Sequence, residues 1–156
     1  MAVVDSLEPH VQGHQLSMAA DDRPGTLEDR LGHRFADRAL MAQALTHSSA
    51  VSPDDARIRS YQRLEFLGDR VLGLSVAALL YETFPEVPEG HLSRALADLV
   101  RKETCAAVAA ELGVAAAMRV GKGERKNGLA KKPAVLGDAC EALLGAVFLD
   151  GGFEAS

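Results

Sequence analysis

Residues 62–83 and 134–150 are two stretches of helical length that are apolar around most of their circumference, yet each carries a pair of acids at helical spacing. In the first, Glu65 and Asp69 stand i and i+4, with Gln62 one turn earlier on the same stripe. Leu64, Phe66, Leu67, Val71, Leu72 and Leu74 take most of the remaining surface. In the second, Asp138 and Glu141 stand i and i+3 among Val135, Leu136, Leu143, Leu144, Val147, Phe148 and Leu149. A helix apolar on all sides belongs in a core, and the all-round apolarity of the first marks it as the central helix. An unpaired carboxylate there is very costly. The acids therefore need a cation, hydrogen-bond donors or a metal.

If the two helices cross at these positions, Glu65, Asp69, Asp138 and Glu141 converge. So many negative charges at close range do not all stay ionised without a cation, and hard oxygen donors suit Mg²⁺ or Mn²⁺. Two such ions can activate a water and stabilise the leaving oxygen of a phosphodiester. The plainer alternative is that each acid pairs separately with an arginine or caps a neighbouring turn, and spacing alone leaves both open. Residues 119–132 carry six basic side chains against one acid, with three glycines, and read as a flexible cationic loop. Placed directly before the second acidic helix, this loop can hold the phosphates of a polyanion; standing alone it is equally a solvated surface loop.

The rest of the chain supplies a helical frame. With 47% hydrophobic but only 4% aromatic residues and no Trp, its core is built from Leu, Val and Ala, which favours helix on helix. At 156 residues it fits one domain. Residues 1–25 lack a sustained period and read as a flexible tail, in which Met18 is a natural start. Thr26 and Asp29 suggest a capping box opening a short helix that turns Leu27, Leu31 and Phe35 inward. Asp37 caps a second helix from Arg38 to about Thr46, and residues 50–60 read as a loop. Pro85 stops the first long helix, Leu92, Leu96, Leu99 and Val100 form a stripe with Arg94 and Arg101 on another face, and Thr104 to Leu112 is a helix closed by Gly113. Phe153 begins an element the chain does not complete, so the C-terminus reads as a truncation.

A net charge of −5 argues against whole-surface attraction to nucleic acid, though not against a local basic patch. The two cysteines, Cys105 and Cys140, fall in helical patterns, and no signal peptide or membrane-spanning run is present, which together read as a reduced, cytoplasmic protein. No Glu-x-x-His repeat, zinc spacing, phosphate-cradling glycine motif or Gly-x-Ser-x-Gly elbow appears. His47 beside Ser48 and Ser49 reads as a helix end before it reads as a nucleophilic pair.

Arg63-Leu-Glu-Phe-Leu-Gly-Asp69 resembles the signature of the ribonuclease III nuclease domain, and Leu136-Gly-Asp-Ala-Cys-Glu-Ala-Leu-Leu-Gly-Ala-Val-Phe-Leu-Asp150 resembles its second acidic helix. The likeness runs from about residue 26 to 156 and takes in Leu45-Thr-His-Ser-Ser49, Phe84-Pro85, Glu89-Gly90 and Leu99-Val-Arg101. The resemblance implies an all-α endonuclease domain that homodimerises and cleaves double-stranded RNA with Mg²⁺, for which Mn²⁺ substitutes. It implies 5′-phosphate and 3′-hydroxyl ends and a role in processing ribosomal and other precursor RNAs. By the same likeness Glu65, Asp138 and Glu141 match metal ligands, Asp69 and Glu141 match the positions usually called catalytic, and Phe66 matches an aromatic seated in the partner subunit. Gln62, Glu89, Lys122, Arg125 and Lys126 are the candidates for handling RNA around them.

Three departures matter. Gln62 stands where the family usually has glutamate, which puts RNA handling and rate in doubt, and Arg70 stands where serine is common, a change that leaves the four acids in place. The RNA-binding domain that typically follows is absent from these 156 residues, which weakens substrate binding and salt tolerance more than cleavage. The competing reading is a catalytically silent domain of the same fold that only dimerises and binds RNA.

Overall fold

The structure, a computed structural model, describes residues 26–156, so the expectations for the tail lie outside the described residues. The helices, in chain order, are α1 (Leu27–Leu31), α2 (Arg38–Ala44), α3 (Pro53–Arg59), α4 (Gln62–Thr83), α5 (Glu89–Leu99), α6 (Lys102–Glu111), α7 (Val114–Ala117), α8 (Lys122–Lys126) and α9 (Pro133–Gly151). The described residues contain no strand, only an isolated bridge between Thr46 and Arg119. The fold is all-α, and none of its helices is long and apolar enough to cross a membrane among the described residues.

Local chemistry sets the helix ends. Thr26 and Asp29 form the reciprocal capping box of α1, and the Asp37 carboxylate accepts the Ala39 amide to cap α2. Pro133 opens α9 where its missing N–H costs nothing. Gly113, at φ 69, makes the left-handed step between α6 and α7 that a side chain would resist.

The centre of the molecule is α9 rather than α4. Val135, Leu136, Ala139, Ala142, Leu143, Ala146 and Val147 of α9 are buried, and α9 packs along both α4 and α6. In α4 only Leu64, Gly68, Val71 and Leu80 are buried, while Phe66, Leu74, Leu79 and Tyr81 are exposed. Small residues on several sides of α9 let two helices approach it at once; apolarity alone did not distinguish the helix surrounded by its own chain from the one with an open apolar face.

The α4–α9 crossing is built on two glycines. A Cβ placed on Gly68 would lie 1.7 Å from the Glu141 carbonyl oxygen, and one on Gly145 would lie 2.4 Å from that of Leu64. Backbone therefore meets backbone, and Glu65 and Glu141, each one turn before its helix's glycine, are drawn to the same side of the crossing.

Three expectations are corrected. Residues 53–59 form helix α3: Ser52 caps it by accepting the Asp55 amide, Pro53 opens it, Asp54 and Asp55 fill its first turn, and Arg57 and Arg59 its last. Those are helix signals in a stretch too polar to show an apolar period. Residues 119–132 are likewise not a plain loop, since Lys122–Lys126 is helical and Leu129–Lys131 makes a 3-10 turn. Arg101 does not share a helical face with Arg94, because α5 ends at Leu99 and Arg101 is the N-cap of α6.

Asp150 clasps the two ends of the described chain together. Its carboxylate accepts the amides of Asp37 at 2.8 Å and Ala36 at 3.0 Å and meets His33 Nε2 at 2.8 Å. The backbone N–H groups of Asp37 and Ala36 hold this carboxyl below the usual range, as the Thr26 hydroxyl and amide do for Asp29. A carboxyl with a lowered folded pKa stabilises above its unfolded value, near pH 4, and that stability drains away as pH falls through the folded value. Asp150→Asn is thus expected to lower the melting temperature at pH 7 and to flatten its fall below about pH 4. Differential scanning fluorimetry across that range reads both effects; parallel curves for parent and variant would contradict them.

Candidate functional site

On the open side of the crossing, one carboxylate oxygen from each of Glu65, Asp138 and Glu141 lies within 4.8 Å of the others. The three line or adjoin an open cleft of about 580 Å³ bounded by Gln62, Glu65, Phe66, Asp69, Arg70, Val100, Lys102 and Glu141. Glu65 comes from the first turn of α4, while Asp138 and Glu141 occupy successive turns of α9. Three of the four acids singled out by their spacing therefore converge, from residues more than seventy positions apart.

Asp69 sits on the rim. Its side chain is 47% exposed and pairs with the neighbouring Arg70, whose guanidinium carbon lies 5.1 Å from the centre of the Phe66 ring. Arg70 thus engages the fourth acid and the exposed aromatic together.

The electrostatics are those of acids crowded in a half-dry place. Burial pushes the Glu65 carboxyl above the usual carboxylate range, and the charge of Asp138 adds to it. Burial also raises Glu141, against the opposing pull of Lys102. Asp138 is held by the hydroxyl of buried Tyr61, which donates to Oδ2 at 3.3 Å. Burial, with the negative charges of Asp138 and Glu65, drives the Tyr61 phenol upward, so it stays a donor at neutral pH.

Lys102, the first residue of α6, went unnoticed in the sequence. Its Nζ donates to Asp138 Oδ1 at 2.6 Å and Glu141 Oε2 at 3.0 Å and lies 3.6 Å from Glu65 Oε1. Burial works against this ammonium, but the hydrogen bonds to Asp138 and Glu141 outweigh it and raise Lys102 above the usual lysine range. Its partners stand 36 and 39 residues away, so no periodicity links them. The one sequence hint is Gly137 beside Asp138: a Cβ there would lie 2.4 Å from Lys102 Cδ. Three hard carboxylate donors that already share one cation fit a divalent metal.

The remaining candidates are dispersed. Gln62 is exposed at the cleft mouth, where Ser60 Oγ lies 3.5 Å from its side-chain oxygen. Glu89 opens α5, accepts the Ser93 hydroxyl at 2.5 Å and does not line the cleft. Lys122, Arg125 and Lys126 are exposed on α8. His47 and Ser49 serve structure: the His47 ring nitrogen accepts the Ser49 amide at 3.0 Å, and Ser49 Oγ accepts the Gly121 amide at 3.0 Å. Phe66 is 67% exposed, beside Ile58 and Leu149 on an apolar hollow that also includes Leu40 and Leu67.

Comparison with known proteins agrees with this architecture. The family model described as Ribonuclease-III-like matches residues 37–156. Ribonuclease 3 of Methylocella silvestris is 57% identical over 136 residues, 87% of this chain and 56% of that protein. Ribonuclease 3 of Azorhizobium caulinodans is 54% identical over 130 residues, 83% of this chain and 55% of that one. The chain therefore spans about half the length of the curated relatives it matches. Among solved structures, the nuclease domain of ribonuclease III from Campylobacter jejuni superposes with a TM-score of 0.75 at 39% identity, covering 82% of this chain and 84% of that one. A second structure of that domain, described for flexibility in the region involved in dimer formation, agrees equally well. With three acids gathered at a glycine crossing and a family model spanning most of its length, this chain belongs to the ribonuclease-III-like family.

Proposed function

We propose that this chain is the nuclease domain of a homodimeric, Mg²⁺-dependent endoribonuclease. It hydrolyses double-stranded RNA by two-metal catalysis, leaving 5′-phosphate and 3′-hydroxyl ends, in the processing of ribosomal and other precursor RNAs in the cytoplasm. The observation that carries this reading is the meeting of Glu65, Asp138 and Glu141 within 4.8 Å beside an open cleft, in a chain 54% identical over 130 residues and 57% identical over 136 residues to two proteins named Ribonuclease 3.

Glu65, Asp138 and Glu141 would hold the metal, with Mn²⁺ able to replace Mg²⁺. Bound there, a divalent ion supplies Lewis-acid stabilisation of phosphodiester oxygens and a water acidic enough to attack. The protein's own groups do the rest. Tyr61 holds Asp138 through its hydroxyl, fixing the oxygen left for coordination. Asp69 stands at the rim, where a substrate phosphate enters, and there Arg70 balances its charge. Lys122, Arg125 and Lys126 hold backbone phosphates, which suits a duplex read by shape rather than by bases. Phe66 seats in the partner subunit, burying an aromatic that is otherwise costly to expose and bringing a second site to the opposite strand.

The test is incubation of the chain with a labelled RNA duplex and, separately, its single strand. Cleavage of the duplex with Mg²⁺, abolished by EDTA and recovered on adding Mg²⁺ or Mn²⁺, is the expected result. Duplex binding without cleavage, even with Mn²⁺ and excess protein, would establish the silent-domain reading instead. Gln62 is the feature that favours that alternative, and Gln62→Glu in the same assay shows whether the missing charge limits turnover.

A further inference from the structure

We propose that Lys102 is a resident cation that occupies the metal site and must yield its carboxylates before a divalent ion binds. The inference rests on reading Glu65, Asp138 and Glu141 as metal ligands, and goes beyond it in assigning a residue that competes for them. Lys102 Nζ reaches the same three side chains at 3.6, 2.6 and 3.0 Å. Those contacts are the ones a cation in that space would make. An ammonium ion and a divalent ion cannot both sit in the centre of one small oxygen cluster, because they repel and compete for the same lone pairs.

The lysine is placed there by the fold. It opens α6, which packs along α9, and its stem runs over Gly137, where a Cβ would stand 2.4 Å from Cδ and 2.9 Å from Cγ. The residue beside a proposed ligand is thus one that leaves room for the lysine stem. An exit is built in as well, since the Lys102 side chain is 40% exposed on the cleft wall. A four-carbon stem lets Nζ leave the cluster without moving α6 and come to rest at the rim, where a substrate phosphate would stand. In the metal-free chain the ammonium offsets the mutual repulsion of the acids and keeps α4, α6 and α9 together. When metal arrives, that contribution is exchanged rather than added, which raises the metal concentration the site requires.

Lys102→Met, similar in length but uncharged, tests this in the whole chain without RNA. Mn²⁺ binding is measured by electron paramagnetic resonance and melting temperature by scanning calorimetry with and without Mg²⁺. The variant is expected to bind Mn²⁺ at least about tenfold more tightly, equal to about 1.4 kcal/mol. It is also expected to melt lower than the parent without metal and to gain more from Mg²⁺. Equal or weaker Mn²⁺ binding by the variant overturns the competition while leaving the metal site standing. Failure of both proteins to bind Mn²⁺ overturns the metal site and this inference together. Should the variant fail to fold, the parent provides its own test through acetylation of Lys102 by a water-soluble amine reagent, followed by peptide mass spectrometry. Shielded on the carboxylates, the amine is expected to label several-fold faster once Mg²⁺ is added, and unchanged or slower labelling overturns the proposal.

Discussion

Gly68→Ala is expected to lower the melting temperature by on the order of 10 °C, since Gly68 makes the tightest approach among the described glycines. The new Cβ would lie 1.7 Å from the Glu141 carbonyl oxygen, 2.5 Å from its carbonyl carbon and 3.0 Å from the Gly145 amide nitrogen. These are backbone atoms of a helix, so no rotamer change relieves the overlap and α4 must part from α9. Overpacking of this kind costs about 3 kcal/mol, and at this chain size each kcal/mol moves the midpoint by roughly 3–4 °C. Gly73→Ala is the internal control. It lies on the same helix with nothing within 4 Å of its Cβ, and alanine's higher helix propensity should leave it neutral or about 1 kcal/mol more stable. Equal melting temperatures for the two variants would show that the crossing is not glycine-dependent. Because Glu141 supplies the backbone being pushed, Gly68→Ala should also weaken metal binding in whatever fraction still folds.

Glu141→Gln is expected to slow duplex cleavage by on the order of 10³-fold, about 4 kcal/mol of barrier, while leaving the fold intact. Glu141 is 5% exposed on the most buried helix and receives the Lys102 ammonium at 3.0 Å. Glutamine keeps the shape and the accepting oxygen but removes the charge on which a hard divalent ion depends. Single-turnover cleavage at saturating protein separates this from a binding defect, since Lys122, Arg125 and Lys126 are untouched. A rate within tenfold of the parent would remove Glu141 from the catalytic role.

The parts of this structure that were legible in the sequence are those that follow from period. Helical spacing put Glu65 with Asp69 and Asp138 with Glu141, and α4 runs Gln62–Thr83 as the apolar pattern and Pro85 dictate. What period does not encode is which helices meet. That α9 sits at the centre and α4 leaves one face open depends on small residues such as Ala139, Ala142, Gly145 and Ala146 admitting two neighbours, a property of packing rather than of hydrophobicity. The same limit hid Lys102, whose role exists only because α6 runs beside α9. It also hid the engagement of Asp69 by Arg70, which is settled by side-chain direction on an exposed face. Helix α3 was missed for a different reason: its signals are caps and charges rather than a buried stripe.

Leu45-Thr-His-Ser-Ser49 ties together two distant parts of the chain. Leu45 accepts the Arg119 amide at 2.8 Å, His47 donates to the Arg119 carbonyl at 2.9 Å, and Thr46 accepts the Tyr61 amide at 2.9 Å. Ser49 then takes the Gly121 amide at 3.0 Å. One short segment thus stitches the start of the basic stretch to the start of the acidic helix through three main-chain bonds and the Ser49 hydroxyl. Under the proposed function, the spacing between the basic side chains of α8 and the carboxylate cluster is therefore set largely by backbone. Charge substitutions at Lys122, Arg125 or Lys126 should change how tightly a duplex is gripped without changing where along it the cut falls.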